Sequence, residues 1–473
     1  MSSVSFFALP TKQLKSKLRP WIIAITLCVF VALVLVPAPE GLTDAGMNAL
    51  AIFVLCLIFW VTNAIPLMIT SMMAIILLPL LGVLDAKVAY GLFGNQAVFF
   101  ILGAFILASA VMQSGLSNRI ALKILHWFRH SHITLLLGVL LLPAGLSFVM
   151  SEHAVAAMMF PIVLEIARVL KLKEGSRYGL ALILAMTWGS IIGGIGTFLG
   201  GARAVLAVGI LEETTGQTIS FLQWMFAALP TVIIMLGVAF LILWWMARHE
   251  TYSVKDVAAH VQKESAALGK LTRREISIGT LMIVTILLWV FAGHSLGLAN
   301  IALGAVVVAF IFKLLSWKQV ENDVNWGIIL MYGGAIALGF ALDQSGAAAW
   351  LTEYILGNWV ASAWGLVLLL SILAKVLTEG MSNTAVIALM MPIALALATL
   401  FNVDVVVATL ALAIPSGLAF MLPISTPATA IAVSSKFVTT GDTLRTGAVL
   451  NIVSILVFAL VALYYWPMIG LHI

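Results

Sequence analysis

Two short phrases concentrate the polar chemistry of this chain. Leu146-Ser-Phe-Val-Met-Ser-Glu-His-Ala-Val-Ala-Ala-Met-Met-Phe-Pro-Ile and Leu377-Thr-Glu-Gly-Met-Ser-Asn-Thr-Ala-Val-Ile-Ala-Leu-Met-Met-Pro-Ile lie 231 positions apart and agree at nine of seventeen positions. Gln113-Ser114-Gly115 and Gln344-Ser345-Gly346 repeat at the same offset. Each phrase is a polar knot inside apolar sequence. Neutral hydroxyl, amide and carbonyl oxygens suit a hard monovalent cation, and hydroxyl and amide N–H groups donate to carboxylate or oxyanion oxygens. Polar backbone inside a bilayer survives only where protein or a water-filled cavity surrounds it. Matched interruptions in two halves point to the binding elements of a secondary transporter.

Each knot precedes a helix that must break. Gly193-Gly-Ile-Gly-Thr-Phe-Leu-Gly-Gly201 interrupts one apolar segment and Pro415-Ser-Gly-Leu-Ala-Phe-Met-Leu-Pro-Ile-Ser-Thr-Pro427 another. An unwound helix frees carbonyls for a cation and amides for an anion, and the half-helix dipoles add to both. Ile195-Gly196-Thr197 and Ile424-Ser425-Thr426 read as equivalent positions, so two tips and two breaks can converge. Blander readings are weaker. Ser382-Asn383-Thr384 alone would pass for a helix N-cap, but its duplication beside a broken helix argues for more. Gly194 to Gly200 lacks the spacing and strand context of a dinucleotide loop. Glu152-His153 has no second His or Cys within a helical turn, so no zinc site is expected.

The elements that position these residues are membrane helices. Sixty-three per cent of residues are hydrophobic and 9% charged, with a mean hydropathy of +1.16, far from a soluble domain. Cys28 and Cys56 both sit in apolar spans, so no disulfide framework is implied. The first apolar segment lacks a small-residue cleavage site and reads as a retained helix. The net charge of +5 needs no nucleic-acid partner, because the excess lies in loops. An enzyme would need a nucleophile–base pair or a metal set, and a channel a continuous polar stripe; the sequence has neither.

Charge placement sets the topology. Lys12, Lys15, Lys17 and Arg19 precede the first span, and Arg119, Lys123 and Arg129 follow the fourth. Arg248, Lys255, Lys263, Lys270, Arg273 and Arg274 fill the connector 248–275, and Lys313 and Lys318 follow the eighth span. Loops 37–46 and 347–360 have no Lys or Arg. The positive-inside rule then puts the N-terminus and the connector in the cytoplasm and the C-terminus outside. The expectation is an all-α polytopic protein of a bacterial inner membrane, with about eleven transmembrane helices and two re-entrant hairpins in two inverted repeats. Residues 1–40 form the tail and first helix, 41–247 the first repeat, 248–275 the connector and 276–473 the second repeat. Ile133–Met150 with Ala154–Ile166, and Trp364–Val376 with Ala385–Leu400, are the expected hairpin legs.

The chain resembles the divalent anion/sodium symporter family, the citrate, dicarboxylate and sulfate carriers. The resemblance rests on Ser382-Asn-Thr in a hairpin ending Met391-Pro-Ile, and on its counterpart ending Phe160-Pro-Ile. Ala419-Phe-Met-Leu-Pro423 before Ser425-Thr-Pro427, and Val98-Phe-Phe-Ile-Leu-Gly-Ala-Phe105, complete it. It covers about residues 40–468 and implies a homodimer in membrane lipid, a fixed scaffold, and an elevator-type transport domain. It further implies anion binding between the hairpin tips, a sodium ion beside each, and no other cofactor. By the family's motif, Ser382, Asn383, Thr384 and Thr426 match substrate contacts. Thr378, the Met381 carbonyl, Asn383 and the Ser425 carbonyl match the second sodium site.

The first half departs from that pattern. Ser147, Ser151 and Gly196 match first-sodium positions, but Glu152-His153 replaces the family's Asn-Thr. Gly200-Gly-Ala-Arg203 replaces its Pro-Pro-Asn. Charged side chains at the bilayer centre cost roughly 2.5–3.5 kcal/mol each, so they are usually paired and functional. Glu152 and Arg203 are therefore expected to pair in place of the first sodium, with Ser151 and His153 completing the substrate site. The favoured substrate is a C4 dicarboxylate coupled to sodium. Sulfate or an organic sulfonate is the second candidate, and sodium-independent exchange or proton coupling through Glu152 and His153 the second mechanism.

Overall fold

The computed structural model describes residues 12–356 and 362–472, so residues 1–11 of the tail and the end of the 347–360 loop lie outside the described residues. The described residues are helical, with no strand among them. The chain opens with α1 (Lys12–Leu35), α2 (Asp44–Thr62), α3 (Leu67–Leu80), the short α4 (Ala86–Gly91), α5 (Gln96–Ser114) and the amphipathic α6 (Leu116–Trp127). α7 (His132–Leu146) and α8 (Glu152–Val169) form a hairpin, and α9 (Arg177–Gly193) and α10 (Ala202–Thr215) a helix interrupted at 194–201. After α11 (Phe221–Ala247) the polar connector carries α12 (Lys255–Ala267).

The second half has the same order. α13 (Arg273–Leu296), α14 (Leu298–Ile311), α15 (Trp317–Asp323), α16 (Trp326–Gln344) and α17 (Ala347–Leu351) come first. The hairpin α18 (Ala363–Gly380) and α19 (Asn383–Leu400) follows. Then comes a second interrupted helix, α20 (Val405–Ala413), a single turn at Pro415–Gly417 and α21 (Pro427–Ser434), before the final α22 (Thr440–Leu460). Arg273 and Arg274, placed in the connector by composition, start α13, because Thr272 and Glu275 close a capping box there.

Nine helices among the described residues are long and apolar enough to cross a membrane. Two of them, α18 and α19, are hairpin legs; the short apolar α3 and α14 and the two interrupted helices bring the passes to eleven. Burial separates their roles. Only 6% of the apolar window of α1 is buried against 83% of that of α19, so α1 turns its apolar surface outward and the α19 leg of the second hairpin lies in the interior.

Small residues bring the hairpin legs close to the broken helices. A Cβ at Gly189 or Gly193 on α9 would overlap the carbonyl oxygens of Leu140 and Ala144 on α7. These two glycines, four apart, let the backbones touch as in other membrane helix pairs. α21 packs against α8 and α9, and α10 against α19 and α20. Hairpins and broken helices of both halves thus interlock in one body.

Candidate anion and cation site

The first tip is built around a buried ion pair. Ser151 has extended backbone and caps α8 by accepting the Ala154 N–H at 3.3 Å, which leaves Glu152 as the first helical residue. The Glu152 backbone N–H donates to the Gly200 carbonyl at 2.9 Å, and Arg203 Nη1 donates to Glu152 Oε2 at 3.2 Å. Both side chains are buried. The glycines of the break make room for them, since a Cβ at Gly194 would overlap the Glu152 carboxylate and one at Gly201 the Arg203 guanidinium. Glu152 Oε1 has no hydrogen-bond partner and lies 3.8 Å from His153 Nδ1, which is also unpartnered.

Arg203 also reaches the other half. A Cβ at Gly417 would overlap its guanidinium, so the side chain is wedged between the first tip and the turn at 415–417. Its Nε and Nη2 have no partner. Ser147 is buried with an unpartnered hydroxyl, and Gly196 packs against the Phe148 ring. The Thr197 hydroxyl donates to the Phe148 carbonyl at 2.9 Å, and Trp224 Nε1 to the Ile195 carbonyl at 3.0 Å, fixing the first break to the tip and to α11.

The second tip carries no charge at the equivalent position. The Thr378 hydroxyl lies 2.5 Å from Asn383 Oδ1 and 2.8 Å from the Ser416 carbonyl, all three residues being buried. A single hydroxyl proton serves three oxygens from three elements, an arrangement a monovalent cation would satisfy. The Met381 and Ser425 carbonyls, expected beside Thr378 and Asn383, make no hydrogen bond to them, and the carbonyl that accepts from the Thr378 hydroxyl is that of Ser416. The Ser425 hydroxyl turns back to the Leu422 carbonyl at 2.5 Å. Ser382 occupies the N-cap position of α19 without a capping hydrogen bond, so its hydroxyl is free beside that helix N-terminus. Thr384 is buried in the first turn of α19, and Thr426 caps α21 by accepting the Thr429 N–H at 3.2 Å. N-termini of this kind favour anions.

Glu379 was read only as part of the repeated phrase, yet it organises the second break. Its carboxylate accepts the Phe420, Met421 and Leu422 N–H groups at 2.9–3.3 Å and Asn451 Nδ2 at 2.6 Å. Three of the amides freed by unwinding 418–426 are thereby satisfied inside the protein. A carboxylate inside an apolar hairpin leg was the available signal. Ser416 gave none, because its contribution is a backbone carbonyl.

The family described as sodium:sulfate symporter transmembrane region matches residues 17–472. The chain belongs to that family. It is the divalent anion/sodium symporter family of the motif resemblance, and the protein is an integral membrane transporter, not an enzyme. Among relatives, the sodium-dependent dicarboxylate transporter SdcS of Staphylococcus saprophyticus is 30% identical over 466 residues, spanning 93% of this chain and 90% of its own length. The transporter of the same name from Staphylococcus aureus is 29% identical over 458 residues, spanning 91% and 88%. Two solved structures share the fold at 13% identity. The YdaH transporter of Alcanivorax borkumensis has a TM-score of 0.56, covering 96% of this chain and 98% of its own. MtrF of Neisseria gonorrhoeae has 0.53, covering 96% and 95%.

Proposed function

We propose that the protein is a sodium-coupled carrier of small divalent anions, with C4 dicarboxylates as substrates. The carrying observation is the cluster of Thr378, Asn383 and Ser416 oxygens next to the free Ser382 hydroxyl at the α19 N-terminus. Sodium at Thr378 and Asn383 would offset the charge of an anion held by Ser382, Asn383, Thr384 and Thr426. The names of the staphylococcal relatives support both sodium and dicarboxylate. At the first tip, with Ser151 and His153 on the substrate side, the Arg203 guanidinium takes the electrostatic place of a cation against Glu152, so the carrier uses fewer sodium ions than a symmetric site would. The interlocking of hairpins and broken helices supports their moving as one transport domain against the remaining helices, an elevator built from two inverted repeats. The assembly is a homodimer in the inner membrane, with a cytoplasmic N-terminus and an external C-terminus.

Uptake of labelled succinate into proteoliposomes, at fixed membrane potential, tests this reading. Sodium should drive uptake and lithium or choline should not, with sulfate and organic sulfonates as competitors to rank. Asn383→Ala should abolish uptake with folding intact, since Asn383 serves both ions. Uptake indifferent to sodium would favour exchange or proton coupling through Glu152 and His153. Strong competition by sulfate alone would move the substrate to a tetrahedral oxyanion.

A further inference from the structure

Lys375 belongs to none of the contacts described so far. It lies on α18, 2% exposed, and its Nζ has no hydrogen-bond partner. The amine faces the Phe420 ring, 4.6 Å from its centroid. Glu379, one turn along, is occupied by the amides of 420–422 and by Asn451 and is not bonded to Lys375. Residues three and four apart are neighbours on a helix, so Lys375 shares a face of α18 with Thr378 and Glu379. Lys375 therefore sits one helical turn from Thr378, inside a protein interior that screens charge poorly.

Few ionisable groups surround it. α19, α20 and the turn at 415–417 carry none. α22 contributes Asp442, partly exposed, and Arg445, exposed, both near its start. Arg203 abuts Gly417 in the 415–417 turn, and Glu379 lies on α18 itself. Lysine, unlike arginine, can exist without its proton inside a protein.

We infer that Lys375 regulates the sodium site at Thr378 and Asn383: as an ammonium it repels the ion, as a neutral amine it admits it, so that proton and sodium compete across one helical turn. This rests on the reading of Thr378 and Asn383 as cation ligands. Two unit charges about 6–8 Å apart, at an effective dielectric of about 20, change a binding constant roughly thirtyfold to a hundredfold.

Sodium protection of the detergent-purified, full-length protein against thermal unfolding, with choline as control, reads this binding without substrate. In the wild type, half-saturating sodium should rise at least about tenfold, and up to roughly a hundredfold, between about pH 8.5 and pH 6. Lys375→Met should keep the high-pH value throughout. Lys375→Arg, always charged, should keep the low-pH value. A Lys375→Met protein with the wild-type pH dependence overturns the assignment, as does a wild type whose half-saturating sodium ignores pH. If Lys375→Met does not fold, Lys375→Arg decides alone: sodium binding as tight as in the wild type at high pH refutes the proposal. Failure of the cation-site reading looks different, because sodium would then protect none of the three proteins at any pH, and both ideas would fall.

Discussion

The two hairpin tips match position by position in sequence, and they solve the same electrostatic problem in opposite ways. Ser147 corresponds to Thr378, Phe148 to Glu379, Glu152 to Asn383 and His153 to Thr384. In the first half the carboxylate of Glu152 sits at the α8 N-terminus, where a negative charge is favoured, and Arg203 pairs with it. In the second half the same place holds a neutral amide, the cap hydroxyl is free, and the carboxylate of the hairpin leg, Glu379, is spent on backbone N–H groups. One tip carries a buried ion pair; the other presents neutral oxygens and a free hydroxyl at the same place. Two tips of like sequence thus differ in charge through a few residues while both remain packed hairpins.

The sharpest break of that contrast is at the ion pair. A buried pair is expensive to halve, because the remaining charge stays in an interior that cannot solvate it, at a typical cost of about 3–5 kcal/mol. Glu152→Gln and Arg203→Gln should each destabilise the detergent-solubilised protein by about that amount, and the double replacement by clearly less. Unfolding curves of the four proteins form the cycle. Additive losses would mean that the two residues act separately, and the first tip would no longer count as internally paired.

How much of this was legible depends on whether a residue acts through its side chain or its backbone. Both hairpins and both breaks could be read from polar knots and glycine or proline runs, and Glu152 and Arg203 stood out as charges in apolar sequence. Their pairing spans fifty-one positions, with Arg203 Nη1 3.2 Å from Glu152 Oε2. The Ser416 carbonyl could not be read, because any residue type supplies one. Where an unwound segment turns its oxygens depends on what holds its amides, and Glu379 holds those of 420–422. Lys375 was visible as a charge in an apolar leg, but its isolation depends on Phe420, forty-five positions away and in the break.

A smaller effect sharpens the comparison at the paired positions Ser147 and Thr378. Thr378→Val keeps the shape but removes one of three clustered oxygens, and should raise the sodium concentration for half-maximal uptake roughly tenfold, the scale of one lost hydrogen-bonding or ligand group in a buried site. Ser147→Ala removes a hydroxyl that bonds to nothing, and should leave the sodium response unchanged with a Hill coefficient near one. Equal rises in both variants would show a sodium ion at each tip, and the Arg203 substitution would have to be abandoned.

The smallest effect concerns carboxylates that anchor the broken helices, one at the membrane edge and one inside. Glu250, beyond the end of α11, accepts the Arg177 N–H at 3.0 Å, the Tyr178 N–H at 3.1 Å, the Ser176 hydroxyl at 2.8 Å and the Tyr252 hydroxyl at 3.0 Å, and so ties the connector to the first turn of α9. Partial burial pushes its carboxyl up, but these hydrogen bonds outweigh that and hold it below the usual carboxylate range. A depressed folded value means that the stabilisation is complete above the unfolded carboxylate range and is lost as pH falls through the folded one. Glu250→Gln should therefore cost about 1 kcal/mol near neutral pH, the usual scale of a helix N-terminal cap. The difference from wild type should shrink as the medium is acidified below the ordinary glutamate range. Melting temperatures of the two proteins across an acid series measure it. A gap that persists undiminished into strong acid would show that Glu250 holds α9 by packing and not by charge. The contrast with the enclosed Glu379 would then lie only in depth.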